Sequence, residues 1–150
     1  VDLRRYQSVD LEKVMRLYQD TIHAVNKIDY TPTQLTAWAS HNADKIQWDR
    51  SLLENYSIVA VKSGMIVGFG DISAENYLDR LYVHKNFQRQ GIASAICEQL
   101  EKRAAQGTIT VHASITARDF FKKRNYHTVK EQEVNIAGVL LRNYLMEKCL

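Results

Sequence analysis

The sequence predicts an α/β (α+β) protein on a mixed, largely antiparallel central sheet of about seven strands, with helices on both faces. Three observations lead there. Amphipathic helical patterns with clear start signals come first, and alternating apolar runs around Lys62-Ser63-Gly64 follow. Then one strand runs through a glycine-bearing loop into a helix and out into another strand. That last order demands a crossover, and so parallel neighbours at one point.

Leu3 to Tyr6 reads as a short opening strand. Ser8 or Asp10 then caps a helix, with Asp10 and Glu12 favourable to the dipole of its first turn. Leu11, Val14, Tyr18, Ile22 and Val25 recur at helical spacing and lay one face on the core. Thr31-Pro32 is a second helix start, N-cap then first position, with Leu35 and Trp38 on the apolar side. A polar stretch leads to Trp48 and Leu52-Leu53, read as a further short helical piece.

Tyr56 to Val61 and Met65 to Ile72 form a hairpin, and Asn76 to His84 pairs beside it. Ile92, Ala95, Ile96 and Leu100 are the packing face of the next helix, which ends near Gly107, a natural C-cap. Thr108 to Ala113 is a short strand, and Ala117 to Arg124 a helix with Phe120 and Phe121 facing inward. Tyr126 to Val134 and Val139 to Lys148 close the chain as a hairpin across Asn135 to Gly138.

With 150 residues and 45% hydrophobic content, one well-buried domain spanning residues 1–150 is expected. The 20 basic and 17 acidic side chains are spread through the chain, which argues against nucleic acid as a partner. No apolar run is long enough to span a membrane and the opening residues carry no signal-peptide pattern, so a cytoplasmic location is expected. Cys97 and Cys149 make no disulfide framework, and Cys97 reads as a small buried hydrophobe. The five histidines, His23, His41, His84, His112 and His127, show no ligand spacing, so no metal is implied.

The chemistry centres on Leu81 to Cys97, where a strand enters a helix through a polar loop. The first NH groups of a helix lack partners within it and the dipole adds positive charge, so such a junction holds anions. Gly91 permits close approach or a positive φ, Ala93 keeps the next turn low, and Arg89 adds a full charge. Gln88 to Ala93 is thus a pyrophosphate cradle by its physics, although many helices simply begin near a glycine.

Gln88-Arg89-Gln90-Gly91-Ile92-Ala93 resembles the Q/R-x-x-G-x-G/A signature of the GNAT superfamily of acetyl-CoA-dependent N-acetyltransferases, and the order of elements is similar over nearly the whole chain. The resemblance implies acetyl-CoA as co-substrate, with its pyrophosphate on the backbone of Gln88 to Ser94. It implies the pantetheine arm in a gap beside Leu81, Tyr82 and Val83, with Ser114, Phe120 and Phe121 on the far side. Ser114 stands where family members often carry asparagine, and Lys122 and Lys123 fall near the adenosine phosphates or are simply a solvated helix face. Tyr30, Trp38, Trp48 and Tyr77 are candidates for the acceptor, although aromatics at helical spacing also read as core packing.

An amine of pKa about 10.4 must lose a proton before it attacks a thioester. The family's usual strand carboxylate position falls on Tyr77; the nearest acids are Asp79 and Glu75, which simple alternation places on one face with Tyr77, Leu81 and Val83. Asp79 is the expected base, with an ion-pair role as the competing reading. The tyrosine that many members use as general acid is replaced by Phe121, leaving Tyr126 or Tyr144 as substitutes if the fold turns them inward. The resemblance, strongest to small stand-alone bacterial enzymes through Asp29-Tyr30-Thr31-Pro32 and the Phe120-Phe121 pair, implies acetylation of a small-molecule amine. A protein or peptide acceptor, or a non-catalytic acyl-CoA-binding module, are the alternatives. A monomer or a homodimer formed through the final hairpin's edge is expected.

Overall fold

Seven strands stand side by side: β1 (Asp2–Arg5), β2 (Tyr56–Lys62), β3 (Met65–Ile72), β4 (Tyr77–Val83), β5 (Thr108–Ser114), β6 (His127–Ile136) and β7 (Val139–Cys149). Their order in the sheet is β1-β2-β3-β4-β5-β7-β6. Every neighbouring pair is antiparallel except β4 with β5. The computed structural model describes residues 1–41, 44–104 and 106–150; the polar stretch expected before Trp48 includes residues 42 and 43, which lie outside the described residues.

Five helices cover the two faces: α1 (Leu11–Val25), α2 (Pro32–Ser40), α3 (Lys45–Glu54), α4 (Ile92–Ala104) and α5 (Arg118–Lys123). The sequence accounts for their ends. Thr31 Oγ1 accepts from the Gln34 NH at 3.2 Å while Gln34 Oε1 accepts from the Thr31 NH at 2.9 Å, a reciprocal cap ahead of Pro32. Asp44 caps α3 by accepting from the NH groups of Ile46 and Gln47. Asp10, expected as a cap of the first helix, is instead buried in a bidentate pair with Arg4, at 2.8 and 2.9 Å, and accepts from the Gln7 NH.

Two hydrophobic cores lie on opposite sides of the sheet. On one, Ile92, Ile96 and Leu100 of α4 and Phe121 of α5 pack on Ile58, Val67, Leu78, Ile109 and Met146. On the other, Val14, Tyr18 and Ile22 of α1, Leu35 of α2 and Trp48 and Leu52 of α3 pack on Val59 and Phe69. Removing such a side chain from water contributes about 1.5–3 kcal/mol. Between the layers Gly70 of β3 leaves room for α4: a Cβ there would come 2.8 Å from Ile96 Cγ2 and 3.0 Å from the Arg80 carbonyl oxygen.

One polar knot fastens α4 to the far end of the sheet. Glu101 accepts from Arg124 at 2.6 Å, from the Tyr126 hydroxyl at 2.8 Å and from Lys148 at 3.3 Å. Cys97 lies beside it, fully buried, its thiol pushed up to about 11 by burial first and by the Glu101 charge second. It is the inert core thiol expected of it.

Gly70→Val should therefore lower stability by about 1–3 kcal/mol, because α4 must move off β3 or its side chains must leave their rotamers. Thermal unfolding followed by circular dichroism reads this directly. An unchanged melting temperature would show that α4 does not depend on that close approach.

Candidate active site

The site begins with an irregularity between β3 and β4. Asp71 faces Arg80 and Ile72 faces Leu78, so Asp79 is an extra residue with no opposite number, a β-bulge. The bulge reverses the alternation along the strand. Leu78, Leu81 and Val83 pack with the α4 core, whereas Tyr77, Arg80 and Tyr82 look toward the side covered by α1, α2 and α3. Simple alternation grouped Tyr77 and Asp79 with Leu81 and Val83; the extra residue corrects that grouping.

Past the bulge, β4 and β5 part. They hold two parallel rungs, Tyr77 with Thr110 and Leu78 with Val111, and no further pairing. Facing backbone groups of residues 79–83 and 112–114 therefore lack a ladder partner across the gap, a condition that a ligand can satisfy. The gap is a channel of about 210 Å³ lined by Leu81, Val83, Ala93, Ala113, Phe120 and Phe121, among others. At its mouth the exposed loop Gln88–Gly91 turns through two left-handed residues, Arg89 at φ 60° and Gly91 at φ 81°, into the first turn of α4. Gln88 anchors the loop by donating its side-chain amide to the Val83 carbonyl.

The channel meets a second chamber of about 590 Å³ on the α1–α3 side. Trp38, Asp79, Tyr82, His112 and Ser114 line both cavities and so mark their junction. Trp48 forms part of the chamber wall, edge-on to Tyr18 at 4.8 Å and beneath the Arg80 guanidinium at 4.7 Å. The tip of the β6–β7 hairpin closes another side through Asn135, Ile136 and Arg142. Tyr30 holds that hairpin in place: its hydroxyl donates to the Arg142 carbonyl at 2.6 Å and accepts from the Ile115 NH at 3.0 Å.

Charge at the junction is set by three side chains. Arg80 pairs with Asp71 at 3.2 Å, donates to Ser51 at 2.6 Å and makes only a long 3.4 Å contact with Asp79. Asp71 is fully buried, and one of its oxygens, Oδ1, has no hydrogen-bond partner among the described residues. Burial pushes its carboxyl up to about 6; Arg80 opposes the rise and the Asp79 charge adds to it. Asp79 itself, at 35% side-chain exposure, faces the junction.

The structure brings most of the sequence-predicted residues together. Leu81, Tyr82, Val83, Gln88, Ala93, Ser114, Phe120 and Phe121 line the channel, and Tyr30, Trp38 and Tyr77 line the chamber. Arg89, Gln90 and Gly91 stand exposed at the mouth, while Ile92 sends its side chain into the core and Ser94 is half-buried on α4. Glu75 is a correction: it lies in the exposed turn before β4, outside both cavities, because the strand starts at Tyr77. Tyr126 is also turned away, bound to Glu101, and Tyr144 lies under Arg118 at 4.3 Å. Ser114 Oγ accepts from the Ala117 NH at 3.0 Å and so shapes the start of α5. His112 was not among the expected residues. Its signal was period two: it shares a strand face with Ser114, and it follows Val111, the last residue of β5 paired with β4.

Parted central strands leading from a helix start to a walled chamber define a site for an elongated ligand with an anionic end. A model of the acetyltransferase (GNAT) domain matches residues 26–148. The uncharacterized N-acetyltransferase YafP of Escherichia coli K12 is 33% identical over 147 residues, 97% of this chain and 94% of that one. A GCN5-related N-acetyltransferase from Rhodopseudomonas palustris superposes with a TM-score of 0.95 at 30% identity, over 99% of this chain and 95% of its own. The PaiA N-acetyltransferase of Thermoplasma acidophilum, solved in complex with coenzyme A, shares the fold at a TM-score of 0.74 and 15% identity, over 99% of this chain and 98% of its own. The chain belongs to the GNAT acetyltransferase family.

The buried Asp71 generates a pH prediction. Between the unfolded value near 3.8 and about 6, the native carboxyl keeps a proton that the unfolded chain has lost. The native state then binds more protons, so this group's contribution to stability falls as pH rises through that window. Carboxyl carbon shifts followed by NMR should show Asp71 titrating near pH 6, and a midpoint below 4 would contradict the burial argument.

Proposed function

We propose that the protein transfers an acetyl group from acetyl-CoA directly to the primary amine of a small molecule. The observation that carries this reading is the continuous path from the α4 start, through the gap between β4 and β5, to an aromatic chamber with Asp79 at the junction. Coenzyme A fits each part of that path. Its pyrophosphate suits the first-turn NH groups of α4, Gly91 to Ser94, which have no partner within the helix, with the exposed Arg89 alongside. Its pantetheine arm suits the unpaired strand edges of Leu81, Tyr82 and Val83, with Ser114, Phe120 and Phe121 across the channel. The thioester supplies an activated acetyl carbon, and the protein's task is to orient the amine and manage its protons.

Asp79 is the base in this reading. It removes the ammonium proton, directly or through water, so that a neutral nitrogen attacks. Arg80 leaves it available, because that guanidinium is already committed to Asp71 and Ser51. Trp38, Tyr30 and Tyr77 line the chamber, and aromatic ring faces attract an organic cation, which favours an amine over an alcohol. The small-molecule class is supported by ties beside the chamber: besides the Tyr30 bond, Gln34 donates to the Leu140 carbonyl at 2.9 Å, fastening α2 to the hairpin. Walls held in this way suit a small acceptor better than an extended chain.

The test is free-thiol release from acetyl-CoA with a mixed set of amines, polyamines, amino acids and peptides, beside Asp79→Asn. Turnover on an amine, with at least about a tenfold loss in the variant at neutral pH and partial recovery at high pH where the amine deprotonates unaided, is the expected outcome. Binding of acetyl-CoA without release on any acceptor would favour a non-catalytic binding module, and release on peptides alone would move the acceptor to protein.

A further inference from the structure

We infer that Tyr77 and His112 form a proton relay that carries a proton from the acceptor nitrogen to the departing sulfur. This rests on the acetyl-transfer reading above. The Tyr77 hydroxyl stands 3.1 Å from Nδ1 of His112, and the two rings meet edge to face with centroids 5.4 Å apart. The pair spans β4 and β5 beside the last parallel rung, where the strands begin to part. Tyr77 lines the acceptor chamber and not the channel, whereas His112 lines both. The contact therefore runs from the acceptor side to the thioester side. The five side chains that line both cavities include one carboxylate, Asp79, and one imidazole, His112.

The proton balance gives the pair its role. An alkylammonium loses two protons on becoming an amide. The first leaves before attack, to Asp79 and solvent. The second leaves the nitrogen once the N–C bond has formed, and the sulfur, left as a thiolate when the C–S bond breaks, needs one. In the relay the nitrogen's proton passes to Tyr77 Oη as that hydroxyl's own proton passes to Nδ1. The imidazolium so formed gives its Nε2 proton to the sulfur, and exchange with solvent at the exposed ring restores the starting tautomer. Neither Phe121, which has no hydroxyl, nor Tyr126, which is bound to Glu101, offers that proton.

The relay requires a neutral imidazole and an un-ionised phenol at rest. The groups facing the ring are Tyr77 and Asp79 from β4 and Lys130 from β6, while β7 places Leu145 opposite. Partial burial of this otherwise exposed ring comes first, and Lys130 second, in holding His112 below its usual 6.5, against the opposing pull of Asp79. Burial, with the Asp79 and Asp71 charges, pushes Tyr77 up to about 12.

Tyr77→Phe, His112→Gln and the double variant test the relay, with melting temperatures matched to wild type and tyramine, spermidine and a lysine peptide as acceptors. On whichever acceptor wild type acetylates, each single variant should lower kcat about 10- to 100-fold and leave KM for acetyl-CoA within about twofold. The double variant should be no worse than the poorer single, since a relay fails as a unit. In the ligand-free protein, nitrogen-15 NMR should find His112 as the Nε2–H tautomer, with that preference lost in Tyr77→Phe. Unchanged kcat, losses that multiply in the double variant, or an Nδ1–H tautomer in wild type would each overturn the relay alone. A wild-type protein that binds acetyl-CoA and acetylates none of the three would overturn the acetyl-transfer reading, and the relay with it.

Discussion

The parting of β4 from β5 is the constraint on which the rest of the molecule depends. A sheet gains from every backbone rung it closes, and unpaired NH and C=O groups in its middle are costly unless something else meets them. Here pairing stops after two rungs, in the centre of a seven-stranded sheet. The bulge at Asp79 produces that break locally, because an extra residue bends and twists its strand. The α4 core anchors one lip through Leu81 and Val83 and the other through Val111 and Ala113. The opening is thus held by packing on both sides rather than by flexibility.

That arrangement distributes the work of the fold between its two layers. The α4 and α5 layer fixes the channel walls; the α1, α2 and α3 layer carries the chamber and most of the aromatic side chains around it. A short series of polar ties holds these layers to the sheet: Arg80 to Asp71 and Ser51, Tyr30 to the ends of β5 and β7, Glu101 to Arg124, Tyr126 and Lys148. Each satisfies several buried groups at once, so deleting one member leaves others stranded at about 1–3 kcal/mol apiece. The geometry of the site is overdetermined by these ties.

What could be read from the sequence was whatever depends on neighbours in the chain. The Thr31-Pro32 cap, the Lys62-Ser63-Gly64 hairpin turn, the strand-loop-helix around Gly91 and the core face of α4 all rest on local spacing, and they stand where spacing put them. The sheet class and its single parallel pair followed from the order of those elements. Register across strands was not legible. Nothing in Tyr77 to His84 announces that Asp79 bulges, because the bulge is defined by which residue of β3 it fails to meet. The facing of Tyr77 follows from that bulge, whereas Glu75 falls outside the site because β4 starts only at Tyr77. His112 escaped notice on similar grounds: a histidine becomes a partner of Tyr77 only when two strands distant in sequence lie parallel. Asp10 shows a related limit at a helix end, where Arg4, six residues earlier on β1, takes up the carboxylate expected as a cap.

The outermost strand, β6, has a consequence of another kind. An open sheet edge is a template onto which any extended chain can add, and the final hairpin leaves one about ten residues long. That edge is studded with Lys130, Glu131 and Glu133, all exposed, and the register between β6 and β7 slips between Thr128 and Lys130. An incoming strand would have to strip water from charges of both signs and match an irregular row before closing a ladder. The opposite margin, β1, is only four residues long and carries Arg4 and Arg5. Both margins therefore resist runaway strand addition, and a sheet broken open at its centre to admit a ligand is guarded at its rims against fibre growth.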